Sequence, residues 1–382
     1  SKEFTKKERE IFLNKIRNNN YDAVIMSHEQ FSKIDQDINI EKDVIGRELE
    51  DVEDNLFNAK NADISKQQLK GLEIRKKNLS ARLDNVLTRI KKRKDENVLN
   101  FSDLGVDHII IDESHKYKNL MFQTKHTRVA GLGNTEGSQR ATNLLLAIRH
   151  IQKNTRTGDY GSTFFSGTPI SNSLTELYLL QKYLTPNVLK EKNIYNFDAW
   201  CSNFAEKSID FETNMVNKII TKERFRYFTN LPELSLMYNQ MADIMTGDMA
   251  KIDRPEKNEF LLLNEQTPLQ KRFYVKLNKF LNTKDQSVLG LDKPLSIDSQ
   301  STALSLVAIN LAFKASLDMR LISTKYQDEE DSKVNNVVSE LLRRYNKFDD
   351  QKMAQIVFLD ISTPKKKLTF EELENNYDRS EE

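Results

Sequence analysis

Short apolar runs alternate with longer amphipathic stretches along the chain, and this alternation predicts an α/β fold. Each apolar run is bounded by polar or turn-forming residues, as the buried strands of a parallel sheet are. The predicted strands lie at residues 21–31, where the strand runs into a turn or helix, and at 106–111, 162–165, 259–263 and 354–359. The predicted helices lie at residues 173–184, 268–277, 301–322 and 333–345. Strands that alternate with helices favour a parallel sheet flanked by helices.

Residues 41–96 have a different pattern, which predicts an inserted helical hairpin. Apolar residues recur first at steps of four, three and four, and then, after a polar break at 61–63, at every seventh residue. The first series is Ile45, Leu49, Val52 and Leu56, and the second is Leu72, Leu79 and Val86. Two such helices joined by a short turn form an antiparallel coiled coil. A solvated structural arm and an arm that contacts DNA or docks a protein partner both fit this insertion.

Composition and charge narrow the class of protein. With 38% hydrophobic residues and a net charge of +1 over 382 residues, the chain can form a core and is not a strongly basic scaffold. A local basic face is still enough to bind nucleic acid. The single cysteine, Cys201, excludes an intramolecular disulfide and fits a reducing cytoplasm. No apolar run approaches the roughly 18–20 residues of a membrane span, so no membrane partner is expected.

Two carboxylates directly follow a run of three isoleucines at the end of one predicted strand. Ile109, Ile110 and Ile111 are β-branched, and Asp112 and Glu113 come next. In open α/β sheets, ligands bind at the carboxyl ends of the strands. Hydrolysis of a nucleoside triphosphate needs an acid that holds Mg²⁺ and a group that orients or deprotonates the attacking water. Asp112 fits the metal role and Glu113 the water role, and a solvated strand end without chemistry is the alternative.

A second predicted strand ends in a turn that carries two hydroxyl groups. Ser166 and Thr168 follow the strand at 162–165, with Gly167 between them to permit a special backbone angle and Pro169 to approach the next helix. At the same edge of the sheet as the two carboxylates, such a loop can sense a γ-phosphate through hydrogen bonds. An ordinary strand–turn–helix connection is the alternative interpretation.

These two motifs carry a resemblance to a known family. Asp112-Glu-Ser-His115 resembles the DEAH-type motif II of superfamily 2 helicases, and Ser166-Gly-Thr-Pro169 resembles their motif III. The continuation at residues 170–177 resembles the helix that follows motif III in SNF2-type proteins, and other segments are similar to further parts of that group. These segments are residues 21–31, 259–274 and 352–364. Over residues 20–360, the chain is most similar to helicase modules in DNA methylase–helicase fusion proteins of phages and conjugative elements.

The resemblance implies an incomplete RecA-like sheet. Residues 1–40 and 97–330 would form part of a first RecA-like lobe with helical additions, interrupted by the coiled-coil hairpin at 41–96. Residues 331–382 would begin a second lobe.

The resemblance also implies a motor that hydrolyses ATP while it moves along double-stranded DNA. The implied cofactors, in the complete parent protein, are ATP and Mg²⁺. Glu113, His115, Ser166 and Thr168 would form the catalytic set, with Asp112 on the metal and both Asp112 and Glu113 beside the nucleotide. His115 would couple motif II to motif III.

The chain departs from the family pattern in its phosphate-binding loop. Such a loop needs Gly-x-x-x-x-Gly-Lys-Ser/Thr, and the 382 residues contain no Gly-Lys pair. The glycine cluster at 131–137 also lacks the lysine and is interpreted as a flexible loop, with DNA or phosphate contact as the alternative. The chain starts without Met and lacks the late arginine-bearing motifs, so we expect a fragment that is inactive by itself.

Two other functions are alternatives to a fragment of an ATP-dependent DNA translocase. A non-catalytic module from a truncated gene would use the hairpin at 41–96 to bind a protein or DNA. A metal-dependent hydrolase built on Asp112 and Glu113 is disfavoured, because none of the five histidines lies at the close spacing of a zinc site.

Overall fold

The computed structural model describes most of the chain as two compact units. The described residues are 5–60, 66–92, 99–126, 129, 131–133, 135–156, 158–171, 173–213, 219–253, 256–295 and 304–359. The first unit comprises Ser1–Glu212 and Thr221–Ile252, and the second comprises Thr213–Ile220 and Asp253–Glu382. The predicted polar break at 61–63 and the last part of the predicted second lobe, 360–382, lie outside the described residues.

Helices dominate the architecture. Up to the middle of the chain the elements are α1 (Lys6–Asn18), α2 (His28–Ser32), α3 (Ile38–Lys60), α4 (Lys66–Lys92), β1 (Ile109–Ile111), α5 (Gln139–Lys153), β2 (Ser162–Phe164), α6 (Thr175–Leu184), α7 (Pro186–Glu191) and α8 (Phe197–Phe204). They are followed by β3 (Ala205–Thr213), β4 (Ile219–Phe228), α9 (Leu231–Met241), α10 (Pro268–Thr283), α11 (Leu304–Leu317) and α12 (Lys333–Lys347). None of the helices in the described residues is both long and apolar enough to cross a lipid bilayer.

The strands β1 and β2 form a parallel pair, in which Ile109, Ile110 and Ile111 face Ser162, Thr163 and Phe164. Parallel neighbours need a crossover connection, and α5 provides it between these two strands. A separate antiparallel pair, β3 and β4, makes the other sheet of the described residues. The predicted α/β class is therefore confirmed as a mostly helical α/β chain with a small parallel sheet.

Three of the predicted strands are wrong. Residues 21–27 have no regular structure, and α2 begins after them because Ser27 caps the helix by accepting a hydrogen bond from the N–H of Gln30. Residues 259–263 and 354–359 also form no strand, and their apolar side chains are exposed, 84% for Leu263 and 89% for Phe358. A β-forming composition produces a strand only where a neighbour pairs with the backbone and covers the side chains.

The helices α3 and α4 pack against each other in opposite directions. Arg89 Nη1 lies 2.9 Å from Glu41 Oε2, and Lys76 Nζ lies 2.8 Å from Glu53 Oε1, so the numbering rises along α3 as it falls along α4. The residues buried along these two helices include Ile45, Val52, Leu56, Leu72, Leu79 and Val86. Both predicted helices of the hairpin are thus present and antiparallel, while their supercoiling stays a prediction.

Aromatic side chains fill the core of the first unit. The ring of Phe197 lies 4.8 Å from that of Phe122 and 5.2 Å from that of Tyr178. Trp200 is fully buried, and its indole N–H donates a hydrogen bond to Gln181 Oε1 at 2.7 Å. Because this polar atom is paired, the large ring can be buried without a desolvation cost at its nitrogen.

The hairpin is joined to this core by a buried ion pair. Glu48 of α3 contacts Lys182 of α6, and their side chains are only 3% and 2% exposed. Lys182 Nζ also donates a hydrogen bond to the carbonyl of Met121 at 3.2 Å. Burial is the largest single influence and disfavours the ammonium group, but the charge and hydrogen bond of Glu48, together with the nearby Tyr195 and Asp51, outweigh it and raise the pKa of Lys182. The pair therefore keeps both charges inside the protein.

A second carboxylate, Asp51, lies near this pair. Burial, and next the negative charge of Glu48, raise the pKa of the Asp51 carboxyl to about 7. Since this value exceeds the pKa of about 3.9 for an unfolded aspartate, the folded state binds the proton more tightly. The stability that Asp51 contributes is therefore complete below about pH 4 and is lost as the pH rises through about 7.

We expect Asp51→Asn to remove most of this pH dependence. At about pH 8 the variant should be more stable than wild type by up to about 4 kcal/mol, and the difference should shrink towards pH 5. Urea unfolding can be followed by the fluorescence of Trp200, the single tryptophan, which reports on the first unit. Asp54→Asn, at an exposed position on the same helix, is the matched control. Parallel stability–pH curves for wild type and Asp51→Asn would contradict this prediction.

The second unit has a core of its own, formed mainly by α10 and α11. Its buried residues include Phe273, Leu277, Phe280, Leu289, Ala308, Leu311, Ala315, Met319 and Ile322. The helix α10 starts at a capping box, in which Thr267 and Gln270 exchange side-chain to backbone hydrogen bonds. Helix α12 has no buried residue, so its apolar side contributes little to this core.

Candidate active site

The carboxyl ends of β1 and β2 lie side by side. Beyond the strands themselves, the N–H of Phe165 donates to the carbonyl of Ile111 at 2.8 Å, and the N–H of Ser114 donates to the carbonyl of Phe165 at 2.9 Å. These bonds hold the chain after β1 against the chain after β2. Asp112 and Ser166 therefore leave the same edge of the sheet, where ligands of open α/β sheets bind.

A tight turn displays the two predicted acids at this edge. Glu113 has a φ of +51°, which is the left-handed region, and its N–H donates to Asp112 Oδ1 at 2.9 Å. A non-glycine residue is uncommon in this region and needs support from its surroundings. Both carboxylates are exposed, while Ser114 directly after them is buried. The turn thus exposes the carboxylates of Asp112 and Glu113 to solvent, while the next residue, Ser114, is buried.

His115 lies beside Glu113, and the structure shows no hydrogen bond from it to the loop of Ser166 and Thr168 among the described residues. Its Nδ1 lies 3.0 Å from Glu113 Oε2, although the contact lacks the geometry of a hydrogen bond.

The second loop is shaped by one of its own hydroxyls. Ser166 Oγ accepts a hydrogen bond from the N–H of Thr168 at 3.1 Å. Ser166 is half-buried and Thr168 is exposed, so the second hydroxyl is open to solvent. Gly167 does not have a positive φ, and a Cβ added there would meet open space. The special backbone angle predicted for Gly167 is therefore absent, and the loop is stabilised by the serine hydroxyl instead.

Residues that sequence reasoning missed connect the two motifs. Lys118 Nζ donates to Ser171 Oγ at 2.6 Å and lies 3.1 Å from Glu176 Oε1. The other oxygen of Glu176 accepts a hydrogen bond from the N–H of Ser171 at 2.6 Å. The segment after Asp112 and Glu113 is thus tied to helix α6, which follows the loop of Ser166 and Thr168. The signal for this network was weak, because a lysine directly after a short 3₁₀ turn and a glutamate in the first turn of a helix are both common surface residues.

His28 was also missed, because its segment was predicted to be a strand. Its Nδ1 lies 2.9 Å from the hydroxyl of Tyr117. Burial, then the nearby charges of Lys116 and Arg140, lower the pKa of His28, and Asp112 opposes that shift. A mainly neutral imidazole therefore lies beside Asp112 at neutral pH.

The metal-binding capacity of this edge is modest. No cluster of three or more His, Cys, Asp or Glu side chains that could hold a metal occurs among the described residues. Mg²⁺ commonly uses only one or two carboxylates and completes its shell with water and substrate phosphates. The exposed Asp112 carboxylate fits this mode of binding and does not fit a dedicated cage.

Comparison with known proteins identifies the family. Residues 1–246 of the 382 match a family model described as "Probable helicase domain". The chain belongs to this helicase family. "Defense against restriction protein B" of Escherichia phage P1 is 22% identical over 251 residues, which make up 65% of this chain and 11% of that protein. The chain therefore spans about a tenth of the length of this relative. No solved structure matches it.

The helicase-family match includes the candidate site and the hairpin. Asp112, Glu113, His115, Ser166 and Thr168 all lie within residues 1–246, as do α3 and α4. Residues 253–382, which make up most of the second unit, lie outside the matched range. The match to the helicase family thus falls mainly in the first unit, which contains the parallel strand pair.

Proposed function

We propose that this helicase-family chain supplies the hydrolysis carboxylates and the adjacent sensing loop of an ATP-dependent DNA translocase of the SNF2-like superfamily 2 class. The observation that carries the proposal is the parallel pairing of β1 with β2, because it brings Asp112 and Ser166 to one edge. The helicase family of residues 1–246 and the order of the two motifs support it. The similarity to a phage protein is in keeping with an origin among phage and mobile-element proteins.

In this proposal each residue has a distinct role. Asp112 holds Mg²⁺, which when bound with ATP neutralises part of the phosphate charge. Glu113 orients the attacking water and accepts its proton, and His115 positions Glu113 from 3.0 Å away. Ser166 and Thr168 place hydroxyl groups beside the γ-phosphate. The link from Lys118 to Glu176 then transmits the nucleotide state to α6.

The exposed face of the small sheet supports a larger RecA-like lobe. Ile110, in the middle of β1, is 69% exposed. Parallel sheets usually have both faces covered, so an exposed isoleucine at the centre of a strand favours further covering elements. The phosphate-binding loop, which these 382 residues do not contain, would belong to those elements in the complete protein.

The proposal is tested by ATP turnover in the complete protein that carries this sequence, with and without duplex DNA. We expect duplex DNA to stimulate ATP turnover by the complete protein, and we expect the 382-residue chain alone to show no turnover. The substitution Asp112→Asn should lower the turnover of the complete protein and raise the Mg²⁺ concentration that it requires. Turnover that is insensitive to Asp112→Asn would contradict the proposal and favour a non-catalytic interaction module. Robust turnover by the isolated chain would contradict the expectation that hydrolysis needs a phosphate-binding loop from outside these 382 residues.

A further inference from the structure

The two helices of the hairpin carry opposite net charges. Helix α3 contains seven Asp or Glu residues and three Lys or Arg residues, a net charge of −4. Helix α4 contains nine Lys or Arg residues and two Asp or Glu residues, a net charge of +7. The acidic partner therefore cannot neutralise α4 completely. An excess of positive charge remains along a helix of about 40 Å, given a rise of 1.5 Å per residue.

One side of α4 borders a polar cavity of about 300 Å³. Arg75, Asn78 and Arg82 line it from the helix, and the residues from Thr135 to Gln139 line it from the opposite loop. A single water needs only about 10–15 Å³ on the same measure, so the space exceeds a solvent site. Two guanidinium groups at one cavity make it suited to an anion with several oxygen acceptors.

The two arginines are incompletely paired. The Arg75 guanidinium donates to the carbonyl of Thr124, which uses part of its hydrogen-bonding capacity. Arg82 Nη1 lies 3.7 Å from Met121 Sδ, and a thioether is a weak acceptor. Within the described part of the chain, no carboxylate lies within ion-pair distance of Arg82. Its half-buried guanidinium therefore retains donors that an anionic ligand could use.

The opposite wall of the cavity packs closely against residues 120–121 and ends at a helix start. Gly137 has a φ of +71°, and a Cβ there would lie 2.4 Å from the backbone nitrogen of Met121. Only glycine permits this close approach of the loop to residues 120–121. Ser138 then caps α5, a helix of 15 residues, by accepting the N–H of Ala141 at 3.3 Å. Helix starts favour negative charge, whereas the carboxylate of Glu136, which also lines this wall and acts on Arg75, opposes an anion. With Arg75 and Arg82 against Glu136, the lining keeps a net charge of +1.

We propose that this cavity holds a backbone phosphate of duplex nucleic acid, gripped by Arg75 and Arg82, and that α4 is a nucleic-acid contact surface. The inference rests on the DNA partner of the proposed function. The basic excess extends over the whole of α4, far beyond one cavity, which suits a polymer with regularly spaced phosphates. The glycine loop at 131–137 would then shape a phosphate contact, and the hairpin would be more than a structural arm.

The test compares two double substitutions on α4 in the 382-residue chain. Arg75→Gln/Arg82→Gln removes two charges at the cavity. Lys70→Gln/Lys77→Gln removes two charges at the same seven-residue spacing from exposed positions that do not line the cavity. Affinity for a duplex of about 30 base pairs is measured by fluorescence anisotropy over a range of NaCl concentrations.

We expect the arginine variant to bind DNA at least about tenfold more weakly, with the slope of log K against log [salt] reduced by about one to two. The lysine variant should lose clearly less, about threefold at most, because Lys70 and Lys77 do not line the cavity and act on the duplex only through the general positive charge of α4. Equal losses in the two variants, or no loss in the arginine variant, would overturn the inference. Saturable binding of inorganic phosphate at the cavity without affinity for DNA would overturn it as well.

Two further variants separate this result from misfolding and from the proposed function. Arg82→Gln alone keeps the Arg75 bond to Thr124 and should still weaken binding, whereas Arg82→Lys should restore part of the lost affinity. Asp112→Asn should leave DNA affinity within about threefold of wild type. Absence of DNA-stimulated ATP turnover in the unsubstituted complete protein, together with arginine-dependent DNA binding, would overturn the proposed function alone.

Discussion

Lys182→Met should lower the free energy of unfolding of the first unit by about 3–5 kcal/mol. The substitution removes one member of a buried ion pair and leaves the carboxylate of Glu48 without its cation. Asp51 nearby makes the site more acidic still, and the remaining carboxylate of Glu48 would keep only the hydrogen bond that Gln123 Nε2 donates to its Oε2 at 3.5 Å. Urea unfolding followed by Trp200 fluorescence measures the loss, because this tryptophan is buried in the same unit.

A double variant distinguishes the value of the pair from the penalty of a lone charge. Replacing both partners, in Glu48→Leu/Lys182→Met, should recover most of the loss, because an apolar pair of similar volume has no charge to desolvate. Lys192→Met is the matched control, since it breaks the exposed ion pair with Glu233 and should cost less than about 1 kcal/mol. A loss in Lys182→Met no larger than in this control would refute the buried-charge argument.

The pair also connects the hairpin to the helix that follows the loop of the candidate site. Glu48 lies on α3, and Lys182 lies on α6, the helix that follows the loop of Ser166 and Thr168. If α4 binds nucleic acid as we propose, α6 is the element that the hairpin and the hydrolysis loop share. A buried charge pair specifies one arrangement of the two helices more strictly than interchangeable apolar contacts do.

Local sequence patterns were sufficient to predict the strands and helices that depend mainly on residues close together in the sequence. The strand at Ile109–Ile111, the helix before Leu184 and the two helices of the hairpin follow from β-branched runs and from helical spacing. The shared sheet edge of Asp112 and Ser166 was also predictable, because a βαβ crossover of ordinary length makes consecutive strands neighbours.

Features that depend on distant partners could not be predicted. Glu48 and Lys182 are 134 positions apart, and neither has a local sign of burial. The apolar runs at 259–263 and 354–359 satisfy every local criterion for a strand and still remain exposed and unpaired. His28 reaches Asp112 only because residues 21–27 are irregular and α2 starts where it does. In each case tertiary pairing, which one sequence does not display, decides the outcome.

Glu113→Gln should reduce the ATP turnover of the complete protein by about 10²–10⁴-fold with little change in ATP affinity. The amide keeps the size and much of the hydrogen bonding of Glu113, but it cannot accept the proton of the attacking water. Because Glu113 occupies a left-handed turn, the isosteric change also preserves the backbone better than a branched residue would. Turnover and nucleotide affinity are measured separately, so that a defect in chemistry is distinguished from a defect in binding.

Glu29→Gln provides the matched control, because Glu29 is an exposed glutamate on α2, directly after the histidine that lies beside Asp112. It loses the same charge from the neighbourhood and should keep turnover within about threefold of wild type. Equal effects of the two substitutions would show that only the local negative charge matters and would remove Glu113 from the role of base. A selective loss in Glu113→Gln, together with retained DNA affinity, would instead assign proton transfer to this one carboxylate at the shared end of β1 and β2.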